Sequence, residues 1–214
     1  MSADEATRAL RDEFAPQPLI DSSRAFNGHI WNIDAETFTF GESELRREVM
    51  THPGAVAVLV GRETERGTEI LLINQYRQPV RSRLWELPAG LLDIAEESPL
   101  SAAQRELAEE VDLQAQSWSV LIDILTSPGG SSESIRVFYA TQASEIDAFA
   151  RAEEEAEIER RWVLLDDAVQ AVLAREIHNS ITVTAILSFA AAQSRGVALA
   201  DANVDWPFAP QRLN

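Results

Sequence analysis

Leu87-Pro88-Ala89-Gly90, then Glu97, then Arg105-Glu106-Leu107-Ala108-Glu109-Glu110-Val111-Asp112-Leu113 is the stretch whose reading decides the fold of this chain. A glycine turn is followed by a segment with two periodicities. Leu100, Ala103, Leu107 and Val111 recur at the 3, 4, 4 spacing of an apolar helical stripe. Glu106, Glu109 and Glu110 fall three and four residues apart, so their carboxylates crowd one helical face. Like charges at that spacing destabilise a helix unless something positive lies among them. A hard divalent cation bound by oxygens meets that need. The spacing predicts a helix over 99–111, with Pro99 suited to its first turn. An acidic helical face by itself is most often only a solvated surface, so the neighbouring residues carry the argument.

Those neighbours, Gly90, Glu97 and the run Arg105 to Leu113, resemble the Nudix box. In that pattern a glycine precedes a spaced Glu, an Arg-Glu pair, a hydrophobic residue and a Glu-Glu pair. Arg105, Glu106, Leu107, Glu109, Glu110 and Leu113 match in register, and Glu97 precedes Arg105 by the family's spacing. There are two departures. The loop from Gly90 to Glu97 carries one extra residue, and Asp112 stands where the box has glycine. Asp enters the left-handed region less readily than Gly.

Composition bounds the rest. The 214 residues are 45% hydrophobic, enough for one good-sized domain or a domain with a smaller appendage. No apolar run reaches the length of about 18 residues needed to cross a membrane. The first 14 residues are charged and lack the apolar stretch of a secretory leader. The chain has no cysteine, which removes thiolate and disulfide chemistry and fits the cytoplasm. A net charge of −17 disfavours nucleic acid as a partner. A small phosphorylated substrate is compatible with it if cations and a few arginines neutralise the phosphates. The histidines, His29, His52 and His178, form no ligand pair by spacing and are expected in structural or surface roles. No G-x-S-x-G elbow is present for a serine hydrolase.

Along the chain, residues 1–14 read as a frayed leader, and 29–40 and 44–49 as an antiparallel ribbon. Strands are expected over 55–61, 69–76, 118–125, 134–141 and 161–165. Helices are expected over 166–175 and 180–192, with an irregular tail from residue 200. Strands and helices do not alternate as in a parallel doubly wound sheet. The expected class is α+β: an α/β/α sandwich with a mixed sheet over 53–214, plus a small N-terminal antiparallel β-domain within 1–52. A lone ribbon is marginal in water, so it should pack on the main domain or on another subunit.

The resemblance extends to the ADP-ribose pyrophosphatase branch of Nudix hydrolases. It is carried by Leu45–Val49, Gly54–Val58, Gln75–Arg77, Trp85–Gly90 and Ser127–Glu133. It implies Mg²⁺-dependent hydrolysis of ADP-ribose or a related nucleoside diphosphate sugar to AMP and a sugar phosphate, with Mn²⁺ as a possible substitute. A homodimer with a swapped N-terminal β-domain is implied as well. By the same resemblance Glu106, Glu110, Glu109 and the Ala89 carbonyl hold metal. Arg105 orients a carboxylate, though its bland alternative is an ordinary surface arginine, and Glu97 braces the loop near Gly90. Arg47 and Arg77 are implied to grip phosphate or terminal ribose, Glu86 to contact ligand, and Glu133 to lie near the metals. Trp85 or Tyr76 either stacks on substrate or is a core or interface aromatic. The general base is expected in the acidic loop before Trp162-Val163, Glu154 first and Glu155 second, where the alternative is a solvated loop. Rival readings are another nucleoside diphosphate derivative (a GDP-sugar or a dinucleoside polyphosphate) and a Nudix-fold sensor without turnover.

Overall fold

The computed structural model describes residues 10–147 and 158–213. Two β-sheets organise them. The first is an antiparallel three-stranded sheet of β1 (Leu19–Asn27), β2 (Asn32–Phe40) and β3 (Ser43–Thr51), in that order. The expected ribbon thus has a third strand, β1, which the sequence did not disclose. Every residue of β1 is exposed, so it lacks the inside–outside alternation that marks a strand.

The second sheet has the order β10-β5-β4-β9-β8-β11, with β6 beside β5 and β7 beside β4. Its strands are β4 (Ala55–Thr64), β5 (Gly67–Arg77), β6 (Ser82–Glu86), β7 (Ala89–Leu91), β8 (Leu113–Leu125), β9 (Ser134–Glu145), β10 (Glu159–Leu164) and β11 (Ala200–Asp201). The β4–β9 pairing is parallel and the others are antiparallel, so the sheet is mixed. The helices are α1 (Pro99–Val111), α2 (Leu165–Leu173), α3 (Ser180–Arg195) and the single turn α4 (Pro210–Leu213).

Alternation along β4 and β5 divides the core between the two faces of this sheet. Ala57, Leu59, Ile70 and Leu72 pack with Ala168, Ala185, Ile186 and Phe189 of α2 and α3. Val56, Val58, Val60, Leu71 and Ile73 pack with Ala102, Ala103, Leu107 and Val111 of α1. Each fully buried Leu or Val contributes roughly 1.5–3 kcal/mol, which anchors α1 firmly. Helix on one face and helices on the other make the α/β/α sandwich. The segment from residue 200 is less irregular than expected. β11 pairs with β8, Trp206 is buried, and α4 sets Pro210 over Gly54.

Candidate active site

Helix α1 starts where Ser98 accepts a hydrogen bond from the Ser101 N–H, with Pro99 next in the chain. It ends at Asp112, whose φ of 51° and ψ of 40° are left-handed. Asp112 therefore takes the conformation for which the box uses glycine. The extra residue before Glu97 is absorbed in a tight turn, with Glu96 at φ 63° and the Glu97 N–H on the Ile94 carbonyl.

Arg105 is the hub of the acidic face. Its Nε and Nη2 bind both oxygens of Glu97 at 3.0 and 2.9 Å. Its Nη1 reaches Glu106 at 2.6 Å and Glu109 at 3.2 Å. One guanidinium thus ties the preceding loop to two helical carboxylates, and its own pKa is driven further up, first by the Glu97 hydrogen bonds. Glu97 is held below the usual glutamate value by Arg105. Its folded pKa is depressed, so the stability it adds is complete above the ordinary value and is lost as pH falls through the lower one. Arg105→Lys is expected to lower the urea unfolding free energy of the metal-free protein by about 1–3 kcal/mol, because an ammonium cannot make the two-pronged bond. An unchanged midpoint and slope would show that the network carries no weight.

The loop and helix interlock at two further points. The Glu110 carboxylate, 8% exposed, accepts the Ala89 N–H at 2.9 Å. A Cβ on Gly90 would lie 1.9 Å from Glu106 Cδ, so glycine is required for that carboxylate to rest against the loop. Ala89, Gly90, Glu106 and Glu110 are thereby brought together, with Glu97, Arg105 and Glu109 beside them.

Among the described residues no three acidic or histidine side chains converge as a closed metal cage. Mg²⁺ does not ask for one, since it keeps several waters and uses one or two carboxylates plus substrate phosphates. Hard oxygens on Glu106, Glu109, Glu110 and the Ala89 carbonyl fit that demand.

Glu86 is 3% exposed and accepts from Arg77, at 2.8 Å from Nη2, and from Gln75 at 3.1 Å. These three share the face of β5 and β6 that carries Ile73, the face covered by α1. Trp85 alternates to the opposite face and packs with Leu72 and the α2–α3 layer, with the Arg161 guanidinium 5.6 Å from its ring centroid. Tyr76 is exposed and donates to Gln78. Arg47 is exposed on β3 of the first sheet, and its Nη1 donates to the Arg46 carbonyl.

Glu133 ends the Ser127–Ser132 turn. Thr126 Oγ1 donates to Glu133 Oε2, and His52 Nε2 lies 3.4 Å from Glu133 Oε1. Burial holds the His52 pKa below its ordinary value, against an upward pull from Glu133. Neither Thr126 nor His52 was singled out from sequence as a neighbour of Glu133. For His52 the separation along the chain, 52 against 133, leaves no local signal.

Glu154 and Glu155 lie outside the described residues. The chain on either side of them is tied to the end of α1. The Ile146 N–H binds the Asp112 carbonyl at 3.0 Å, and Arg160 donates to the Val111 carbonyl. A cavity of about 700 Å³ lies between β2–β3 and the chain just after Gly90, with Arg24, Asp34, His52, Leu92 and Asp93 among its walls.

The chain resembles proteins of known activity. The chain is 44% identical over 148 residues to an ADP-ribose pyrophosphatase of Mycobacterium tuberculosis, covering 69% of this chain and 70% of that protein. It is 33% identical over 171 residues to an ADP-ribose pyrophosphatase of Bacillus subtilis, covering 79% and 90%. The crystal structure of an ADP compounds hydrolase superimposes with a TM-score of 0.70 at 18% identity, over 88% of this chain and all of the other, a likeness of fold. The NUDIX domain profile matches residues 50–183. With the box residues interlocked around Arg105 and that profile spanning most of the chain, the protein belongs to the Nudix hydrolase family.

Proposed function

We propose that this chain hydrolyses the pyrophosphate bond of ADP-ribose or a related nucleoside diphosphate sugar, giving AMP and a sugar phosphate with Mg²⁺ as cofactor. The observation that carries the reading is the interlock of Glu106 and Glu110 with the Ala89-Gly90 loop, next to the Arg105 hub. Glu106, Glu110, Glu109 and the Ala89 carbonyl would hold the cation. Once bound, it neutralises the diphosphate and makes water a better nucleophile. Arg105, braced by Glu97, keeps the helical carboxylates aimed toward the loop. Arg77, oriented by Glu86, and Arg47 supply positive charge for phosphate or terminal ribose in a chain whose net charge is −17. The general base is Glu154, with Glu155 as second choice; the ties of Ile146 and Arg160 to the end of α1 support a base delivered beside that helix.

The active form is a cytoplasmic homodimer that exchanges its 1–52 units. Exposed Leu19, Ile20, Phe26, Ile30, Trp31 and Phe40 on and around the first sheet support a second copy as the cover. Among the described residues no helix is long and apolar enough to cross a membrane.

The test is a product assay over ADP-ribose, GDP-mannose and a dinucleoside polyphosphate with millimolar Mg²⁺ or Mn²⁺. AMP and ribose phosphate from ADP-ribose are the expected products. Preference for either other substrate would move the specificity and keep the chemistry. Ligand-induced thermal stabilisation without any turnover would make the chain a sensor. Glu154→Gln is expected to lower kcat by about 10²–10⁴-fold, with KM little changed. An unaffected kcat would shift the base to Glu155 or elsewhere.

A further inference from the structure

His52 is buried, 4% exposed, at the junction between the first sheet and β4. Its ring is fixed from three sides. Nδ1 accepts the Gly54 N–H at 3.0 Å, which assigns the proton to Nε2. That Nε2 lies 3.4 Å from Glu133 Oε1, while Thr126 Oγ1 donates to the other carboxylate oxygen. The ring of Trp31, in the β1–β2 connection of the first sheet, lies 6.4 Å from the imidazole, centroid to centroid.

The backbone makes the same junction. The Met50 N–H binds the Gly130 carbonyl at 2.8 Å, and the Ser132 N–H returns to the Met50 carbonyl at 3.0 Å. The His52 N–H binds Ser132 Oγ at 3.0 Å. Thus the end of β3 is stitched to the turn that delivers Glu133. Ala55 pairs with Leu91 on one side and Ile135 on the other, so Glu133 and Gly90 flank the same end of β4. Glu106 rests on Gly90. Register therefore puts Glu133 at the end of β4 that Gly90 and the Glu106 resting on it also flank, with its carboxylate beside a histidine that belongs to the junction with the first sheet.

We propose that His52 is a positioning residue: through Nε2–H it sets the Glu133 carboxylate for the reaction and links that setting to the placement of the first sheet. The inference rests on the hydrolytic reading above. Two substitutions separate the two ring nitrogens. In His52→Asn the amide oxygen replaces Nδ1 and keeps the Gly54 bond, but the donor to Glu133 is gone. In His52→Gln the amide nitrogen replaces Nε2 and keeps that donor, but the Gly54 N–H loses its acceptor.

Steady-state hydrolysis of ADP-ribose with Mg²⁺ and thermal melting are measured on both variants, on Glu133→Gln, and on His52→Asn/Glu133→Gln. His52→Asn is expected to lower kcat about 10- to 100-fold, the usual loss when a partner behind a functional group is removed, with melting close to the parent. His52→Gln is expected to restore most of kcat while melting lower. Adding His52→Asn to Glu133→Gln should cost nothing more. Parent-like kcat in His52→Asn, equal losses of kcat in the Asn and Gln variants, or fully multiplicative losses in the double variant would each overturn the proposal. A parent protein that hydrolyses none of the nucleotide sugars would instead overturn the hydrolytic reading, and this inference with it.

Discussion

Glu110→Gln yields a folded protein with almost no turnover. The expected loss in kcat exceeds the roughly 10- to 100-fold that removal of an outer partner costs, because Glu110 is proposed to hold the cation itself. The fold survives for a specific reason. Glu110 is nearly buried, and its carboxylate accepts the backbone N–H of Ala89. The Gln amide oxygen can accept the same bond, so the loop stays in place while a negative charge is removed. Two measurements separate the effects. Melting of the metal-free variant should match or exceed the parent, since one repulsive charge has left a face shared with Glu106 and Glu109. The rise in melting temperature that millimolar Mg²⁺ gives the parent, by binding the folded state alone, should largely vanish. Activity within a few fold of the parent would remove Glu110 from the metal site.

How much of this was legible before the structure depends on how local each signal is. Helix α1 runs Pro99–Val111 as its apolar spacing and proline indicated, because stripe and first-turn proline agree within one short stretch of chain. Strand β1 was hidden by its composition, with Asp21-Ser22-Ser23-Arg24 at its centre and no buried face. β7, three residues long, is too short for any period to declare itself. The parallel β4–β9 pairing joins residues about eighty positions apart, and nothing in either strand names its partner. The site divides in the same way. Crowding of Glu106, Glu109 and Glu110 follows from helical geometry alone. That one arginine serves both the loop glutamate and two helical ones depends on how the loop folds back on the first turns of α1, and that Glu86 faces Arg77 whereas Trp85 faces away follows from pairing across the sheet. Asp112 is the instructive exception to the box. Its left-handed geometry is sterically uphill for Asp, and the Arg160 guanidinium, 3.9 Å from its carboxylate and bonded to the Val111 carbonyl, supplies compensation glycine would not receive.

Gly90→Ala should impair the site far more than the fold. The added methyl would meet Glu106 Cδ at 1.9 Å, Oε1 at 2.0 Å and Cγ at 2.5 Å, so the two cannot coexist as placed. What yields is the end of a flexible side chain rather than backbone. The expected stability change is therefore at or below the roughly 1–3 kcal/mol typical of overpacking in a rigid core. Glu106 can relieve the clash by turning away from the loop while α1 stays on its buried stripe of Ala103, Leu107 and Val111. That movement takes a proposed metal ligand out of register with the Ala89 carbonyl. A displacement of about 1 Å at a reacting centre costs on the order of 10²-fold in rate. The apparent Mg²⁺ requirement should rise in parallel, which a Mg²⁺ titration of the ADP-ribose rate measures directly. The outcome also discriminates between the two helical carboxylates. Glu110 is anchored to the Ala89 N–H rather than to Gly90, so partial activity recovered at high Mg²⁺ would mean that Glu110 still holds the ion and only Glu106 was displaced. Parent-like rate and parent-like Mg²⁺ dependence together would show that Glu106 does not work from the position in which Gly90 holds it.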